Sequence, residues 1–143
     1  IAGEGRLLHQ LQRKARKLGV EKQIEFLGFV DQMPAFFHSL DIFLLPSLYE
    51  GFGYVIAEAM ASSKPVVAFD IKSSAEIIDD GVTGFLTPRK DSREMSRKVM
   101  ALAASRELRE EMGRKGRERV EAMFSFEKSQ AQILDLINRS EER

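Results

Sequence analysis

The chain has 143 residues, no cysteine, and 22 Lys plus Arg set against 22 Asp plus Glu. That length suits one domain with a core of its own. The missing thiols exclude disulfide scaffolds, zinc ribbons and dithiol redox chemistry, and the charge balance leaves no net field to gather nucleic acid.

Hydrophobic residues at 43% and charged residues at 31% describe a water-soluble globule, and no run approaches the roughly 18 apolar residues of a membrane span. A chain without cysteine fits a reducing, cytoplasmic setting. Ile1 stands where methionine would open a complete chain and the first residues read as the tail of a strand, so a fragment of something longer is expected. Leu7, Leu8, Leu11, Ala15 and Leu18 then recur at helical spacing, with Arg13, Lys14, Arg16 and Lys17 on the other face and Gly19 as the stop. Residues 24–27 form a short apolar run that reads as a buried strand. Asp31 is placed to cap a helix that takes Pro34 in its first turn and turns Phe36, Phe37 and Leu40 inward.

Residues 42–45, halted by Pro46, and residues 66–69, started by Pro65, read as two more buried strands. Between them lie a loop, 47–53, and a helix to about Ser62 whose small and apolar residues predict deep burial. A stretch at 73–78, a turn between Gly81 and Gly84, and a short strand at Phe85 and Leu86 follow. Asp91 and Glu94 have capping-box spacing, and Ser105 and Ser125 can cap two further helices. Leu102, Leu108, Met112, Val120, Ile133, Leu136 and Ile137 supply their apolar stripes.

Short apolar strands alternating with helices predict an α/β fold: a Rossmann-like parallel sheet with helices on both faces, followed by C-terminal helices. Right-handed crossovers place the strand-to-helix loops along one edge, where ligands of open α/β sheets bind. The 47–53 loop leaves a carboxyl strand end and is the place to look for function.

Familiar signatures fail. Gly3-Glu4-Gly5 and Gly51-Phe52-Gly53 each begin a dinucleotide fingerprint, but its third glycine would fall at Leu8 or Ile56. No Walker loop or nucleophile elbow occurs, and His9 and His38 stand apart from any ligand cluster, so no metal is expected. What remains is PSLYEGFGYVIAEAMAS, residues 46–62. Two glycines let the backbone bend close to a ligand. The first-turn amides of Tyr54 and Val55 make an anion site. Glu50 ends the loop, and Glu58 follows on the helix among apolar neighbours, where an unpaired carboxylate is costly to bury. Paired ribose hydroxyls would answer a carboxylate there. The two acids would then grip opposite ends of a nucleotide diphosphate sugar. A plainer reading makes Glu50 an exposed loop acid and Glu58 a salt-bridge partner. Glu110 and Glu118 share the spacing within a charged helix and read as a solvated face.

FLGFV from Phe26, DIFLLPSLYEGFGYVIAEAMAS from Asp41, KPVVAFD from Lys64 and AEIIDDGVTGFLTP from Ala75 resemble the carboxyl-terminal donor-binding domain of retaining glycosyltransferases of family four, which have the GT-B fold. The similarity runs in register from Ile1 to about Phe124. It implies one incomplete nucleotide-sugar-binding domain over 1–143, lacking its acceptor-binding domain. The implied activity is transfer of a hexosyl group from a UDP-sugar or GDP-sugar to a glycan or glycolipid acceptor, with retention and without a metal. Glu50 matches the family's catalytic-site glutamate that contacts donor-sugar hydroxyls, and Glu58 the one that binds the ribose. Gly51 and the amides of Phe52 and Gly53 look like the sugar-hydroxyl site, those of Tyr54 and Val55 like part of the diphosphate site, and Phe29 and Val30 like the border of the base.

The resemblance also marks departures. The family's diphosphate-binding arginine and lysine lie upstream of Ile1, so this chain alone is not expected to catalyse transfer. Ser63 stands where relatives have glycine, at a cost of about 1 kcal/mol if the site is left-handed. Lys72 and Ser73 replace a glycine pair in the loop after the third strand, which predicts altered donor choice. Two rivals stand beside the enzyme reading: a nucleotide-sugar-binding module without catalysis, and a structural α/β domain with a decayed site. Phe36, Phe37 and Phe43 read as packing residues, and Phe52 equally as packing or as a stacking platform. The run from Arg106 to Arg119 reads first as a solvated helix surface and second as a patch for peripheral contact with a membrane surface.

Overall fold

The computed structural model describes residues 1–124. They fall into two compact units, Ile1–Phe36 and the chain from Phe37 onward.

In the first unit, helix α1 (Leu8–Lys17) carries Lys14, Arg16 and Lys17 in its last turn, where cations oppose the negative end of the helix dipole. Gly19 ends it at φ +70, with the Gly19 amide donating to the Arg16 carbonyl and the Val20 amide to that of Ala15, each at 3.0 Å. This is the double closure that a left-handed glycine permits. A single 3₁₀ turn, Glu21–Gln23, follows.

Residues 24–27 differ from the expected buried strand. The Ile1 amine donates to the Glu25 carbonyl at 2.5 Å, while the Leu27 amide reaches the Ile1 carbonyl and the Gly3 amide the Gly28 carbonyl. The parallel pairing amounts to one isolated bridge, Ala2 with Gly28. Leu27 is exposed, and Ile24 and Phe26 are half-buried. Three hydrogen bonds on one edge are too few for a strand, so apolar composition alone misassigned the segment.

The division between the units falls inside α2 (Met33–His38), which takes Pro34 in its first turn as expected. Phe37 is buried and meets Phe43 edge-on, ring centroids 5.4 Å apart. Phe36 and Leu40 are half-buried.

The second unit is built on a parallel sheet, β1 (Phe43–Leu45), β2 (Val66–Phe69) and β3 (Gly84–Thr87), in the order β1-β2-β3. Its helices are α3 (Tyr54–Ala61), α4 (Lys72–Ile77), α5 (Ser92–Ala104) and α6 (Arg106–Phe124). Central strand β2 is buried at every position. Val67 and Phe69 pack with Met95, Leu102 and Met112 of α5 and α6. Strand alternation sends Val66 and Ala68 to the opposite face, where α3 contacts β2 through a helix side that buries Ile56, Ala59 and Met60. The α/β architecture is therefore the one expected. Burial on both strand faces holds only for β2: Leu44, on edge strand β1, is 45% exposed.

The caps follow sequence in part. Asp91 accepts from the Arg93 and Glu94 amides through one carboxylate oxygen, at 3.1 and 3.0 Å. The reciprocal half of the box is missing because Glu94 turns to Arg97. Ser105 Oγ accepts from the Leu108 amide and starts α6. Ser125, Ile133, Leu136 and Ile137 lie outside the described residues.

Candidate functional site

The three parallel strands deliver their carboxyl ends to one edge of the second unit. A cleft of about 430 Å³ opens there, lined by Glu50 and Gly51 after β1, by Lys72, Ser73 and Glu76 after β2, and by Arg89 after β3. Fold logic had pointed to this edge. The cleft unites four residues singled out in the sequence, Glu50, Gly51, Lys72 and Ser73.

Charge in this cleft is uncommitted. All seven ion pairs among the described residues lie in α5 and α6. Glu50, Lys72, Glu76 and Arg89 are in none of them, although two carboxylates and two cations share the same walls. The Arg89 guanidinium instead donates from Nη2 to the Leu48 carbonyl at 3.0 Å.

Lys72 and Ser73 do not sit in a loop, as their replacement of a glycine pair suggested. They open α4. Ser74 is the cause: its hydroxyl donates to the Phe69 carbonyl at 2.5 Å and accepts from the Ile71 amide at 3.2 Å, closing the chain into a helical turn directly after β2. Ser73 is 6% exposed. Its hydroxyl is the one buried side-chain polar atom among the described residues without a hydrogen-bond partner.

Beyond Gly51 the chain turns into α3 through Gly53, which holds φ +83 and ψ 37 as the residue before the helix. A Cβ there would lie 3.4 Å from the side chains of Ile56 and Ile77, in a backbone conformation that L residues resist. The Ile56 and Ala57 amides close onto the Gly53 carbonyl, at 2.9 and 3.4 Å. The amides of Tyr54 and Val55 take no partner among the described residues. Both stand in the first turn of α3, at the positive end of its dipole.

Glu58 departs from the expectation of burial. It is exposed, because α3 buries the stripe of Ile56, Ala59 and Met60 while Tyr54, Glu58 and Ala61 share the outward face. The mixed sequence hid a one-sided helix. Among the described residues the Glu58 carboxylate has no hydrogen-bond or ion-pair partner, and it lies outside the wall of the cleft, as do Phe52, Gly53, Tyr54 and Val55. The Phe52 ring packs on Tyr54 at 4.8 Å and edge-on against Phe124 at 5.5 Å. Phe29, 75% exposed, and Val30 belong to the first unit.

Sequence reading missed Glu76 and Arg89. For Arg89 the place was available, because the rule that residues after carboxyl strand ends line the ligand edge was not carried on to β3; Glu76 lies one turn beyond Lys72 and Ser73, and a helix there was not expected. A second hollow of about 330 Å³ opens at the amino ends of β1 and β2, beside Asp41, Ser63 and Lys64. Its cations are already engaged. Arg106 pairs with Glu110 at 2.6 Å, Arg109 donates to the Leu102 and Ala103 carbonyls, and Lys64 donates to the His38 carbonyl.

Along α6 the run from Arg106 to Arg119 is internally neutralised, with Arg114 on Glu118 and Arg117 on Glu121, each at 2.7 Å. That is the arrangement of a solvated helix face, and it includes Glu110 and Glu118. Among the described residues no three His, Cys, Asp or Glu side chains gather as a metal site would need. No helix among them is long and apolar enough to cross a membrane.

Residues 1–119 match the family model described as Glycosyl transferases group 1. The alpha-D-kanosaminyltransferase of Streptomyces kanamyceticus is 33% identical over 114 residues, covering 78% of this chain and 30% of that protein. The capsular polysaccharide biosynthesis glycosyltransferase CapM of Staphylococcus aureus is 34% identical over 91 residues, covering 64% of this chain and 24% of its own. The crystal structure of Anabaena HepE in complex with UDP superposes with a TM-score of 0.90 at 26% identity, covering 96% of this chain and 40% of that one. HepE has also been solved with UDP-glucose. The chain spans about a third of the length of the curated relatives it matches.

Proposed function

The chain belongs to the group 1 glycosyl transferases, of GT-B architecture, and from that premise we propose that it is the donor-binding part of a retaining enzyme of family four that transfers a hexosyl group to a glycan or glycolipid acceptor. The observation that carries the reading is the start of α3, where among the described residues the Tyr54 and Val55 amides have no hydrogen-bond partner, on a loop and helix whose two carboxylates, Glu50 and Glu58, form no ion pair there. Amides at a helix start suit a diphosphate. A free carboxylate suits a pair of vicinal hydroxyls, as on a ribose or a hexose.

In this reading Glu58 takes the ribose hydroxyls, the Tyr54 and Val55 amides the diphosphate, and Glu50 the sugar, with Gly51 and the Phe52 and Gly53 amides beside it. Lys72 and Ser73, where a glycine pair is usual, narrow the sugar end and shift donor choice. Departure of the diphosphate leaves negative charge that fixed N–H groups and cations can stabilise before any proton moves. Glu50 is accordingly given contact with the sugar, and no general-base role is assigned to it. UDP-glucose held by HepE supports a nucleotide-sugar donor without selecting its sugar.

Calorimetry of the full-length protein with UDP and GDP tests the assignment. Binding of one of them, weakened about 10- to 100-fold by Glu58→Ala, is the expected result, as loss of a charge-assisted hydrogen-bond pair predicts. Equal affinity in parent and variant refutes the ribose role. Turnover of a nucleotide sugar by the same preparation separates an enzyme from a binding module.

A further inference from the structure

The loop that carries Glu50 is nearly free of backbone support. Between β1 and the Gly53 carbonyl, residues 47–52 take part in a single hydrogen bond among the described residues, and it comes from Arg89 Nη2 to the Leu48 carbonyl at 3.0 Å. Tyr49, next in line, is 85% exposed. A loop so placed drifts unless something distant fixes it.

Arg89 is well built for that work. It follows β3, whose last residue, Thr87, is fully buried and tied to β2 by its own hydroxyl on the Ala68 carbonyl and by the Asp70 amide on its carbonyl. On the other side the Asp91 amide closes back onto the Pro88 carbonyl, and Asp91 caps α5. The backbone under Arg89 is therefore held at both ends, and its long side chain spans from one strand terminus to another. The guanidinium forms no ion pair with Glu50 or Glu76, although all three line one cleft. A planar group with five donors can hold the Leu48 carbonyl and keep its charge at the cleft wall, which an ammonium does less well.

We propose that Arg89 is a positioning residue, a latch that holds the Glu50 loop in register with the rest of the donor site. Its bearing on the donor rests on the function proposed above; the latch itself does not. Backbone amide NMR relaxation of residues 47–53 in the ligand-free, full-length protein tests it directly. Arg89→Ala should lower the order parameters of the loop toward those of flexible backbone, below about 0.6, with the β2 amides unchanged near about 0.85, and Arg89→Lys should recover part of the order. Where the parent turns over a nucleotide sugar, Arg89→Ala should also raise the donor KM while leaving affinity for the bare nucleoside diphosphate unaltered. Unchanged order parameters in Arg89→Ala overturn the latch. Lowered order parameters with unchanged donor KM overturn its role in positioning Glu50. Failure of the parent to bind any nucleotide defeats the donor reading alone, since the relaxation measurement needs no ligand.

Discussion

Ser63 ends α3 in the left-handed conformation, φ +55. Its amide donates to the Met60 carbonyl at 2.8 Å and the next, Lys64, to Ala59 at 2.9 Å, the same double closure that Gly19 gives α1. The geometry suits glycine, and serine accepts the conformation at a cost. Glycine also gains freedom in the unfolded chain, which subtracts from the benefit. Ser63→Gly should therefore stabilise the protein by about 0.5–1 kcal/mol, read as a higher urea midpoint at constant m-value. Loss of stability would mean that the Ser63 side chain contributes something its exposure does not suggest. Glu58 is the opposite kind of residue: its identity was legible, its surroundings were not, because exposure depends on which side of α3 the sheet takes.

At the scale of elements, α3 and α6 approach each other through glycines. A Cβ on Gly113 would run into the Ser63 carbonyl, with the carbonyl carbon at 2.8 Å, and backbone cannot step aside as a flexible side chain can. Gly113→Ala should cost about 2 kcal/mol or more, overriding the roughly 1 kcal/mol that alanine gains over glycine in a helix. Gly116, one turn on, would place its Cβ 3.4 Å from the Thr83 carbonyl and 3.5 Å from Met60, ordinary contacts. Gly116→Ala should keep part of that gain, up to about 1 kcal/mol. Thermal unfolding of the two variants, side by side, gives the contrast; two equal losses would refute the close approach at Gly113. This packing was not legible in sequence, where both glycines look like blemishes in a charged helix. Strand β2, bounded by Pro65 and wholly apolar, was legible to the residue, as was the stop at Gly19. The 24–27 run was not, because a strand is made by neighbours, and among the described residues its backbone bonds across to residues 1–3 amount to one isolated bridge. Arg89 escaped for a related reason: its partner is 41 residues away, beyond any local pattern.

Over the whole molecule, equal numbers of positive and negative residues are distributed unequally in their pairing. α5 and α6 hold every ion pair among the described residues, and the cleft holds none. The paired helices then set how stability responds to acid. A hydrogen bond from Arg97, opposed by slight desolvation, holds the Glu94 carboxyl below its ordinary value of 4.5, and a hydrogen bond from Lys115 does the same for Glu111. A carboxyl lowered in the folded state stabilises the protein above its unfolded pKa, and the contribution is lost as pH falls through the lowered folded value. Both pairs are on the surface, so each is worth little and salt weakens it. The urea midpoint should thus hold level from neutrality to about pH 5, then decline below about 4.5 as these carboxylates protonate. Glu94→Gln with Glu111→Gln should lower the plateau slightly and flatten the first part of the decline, and about 1 M salt should reproduce that flattening in the parent, because screening then acts within about 3 Å. A double variant whose decline matches the parent's at every pH would assign the acid limb to other carboxylates and leave the α5 and α6 pairs without a part in it.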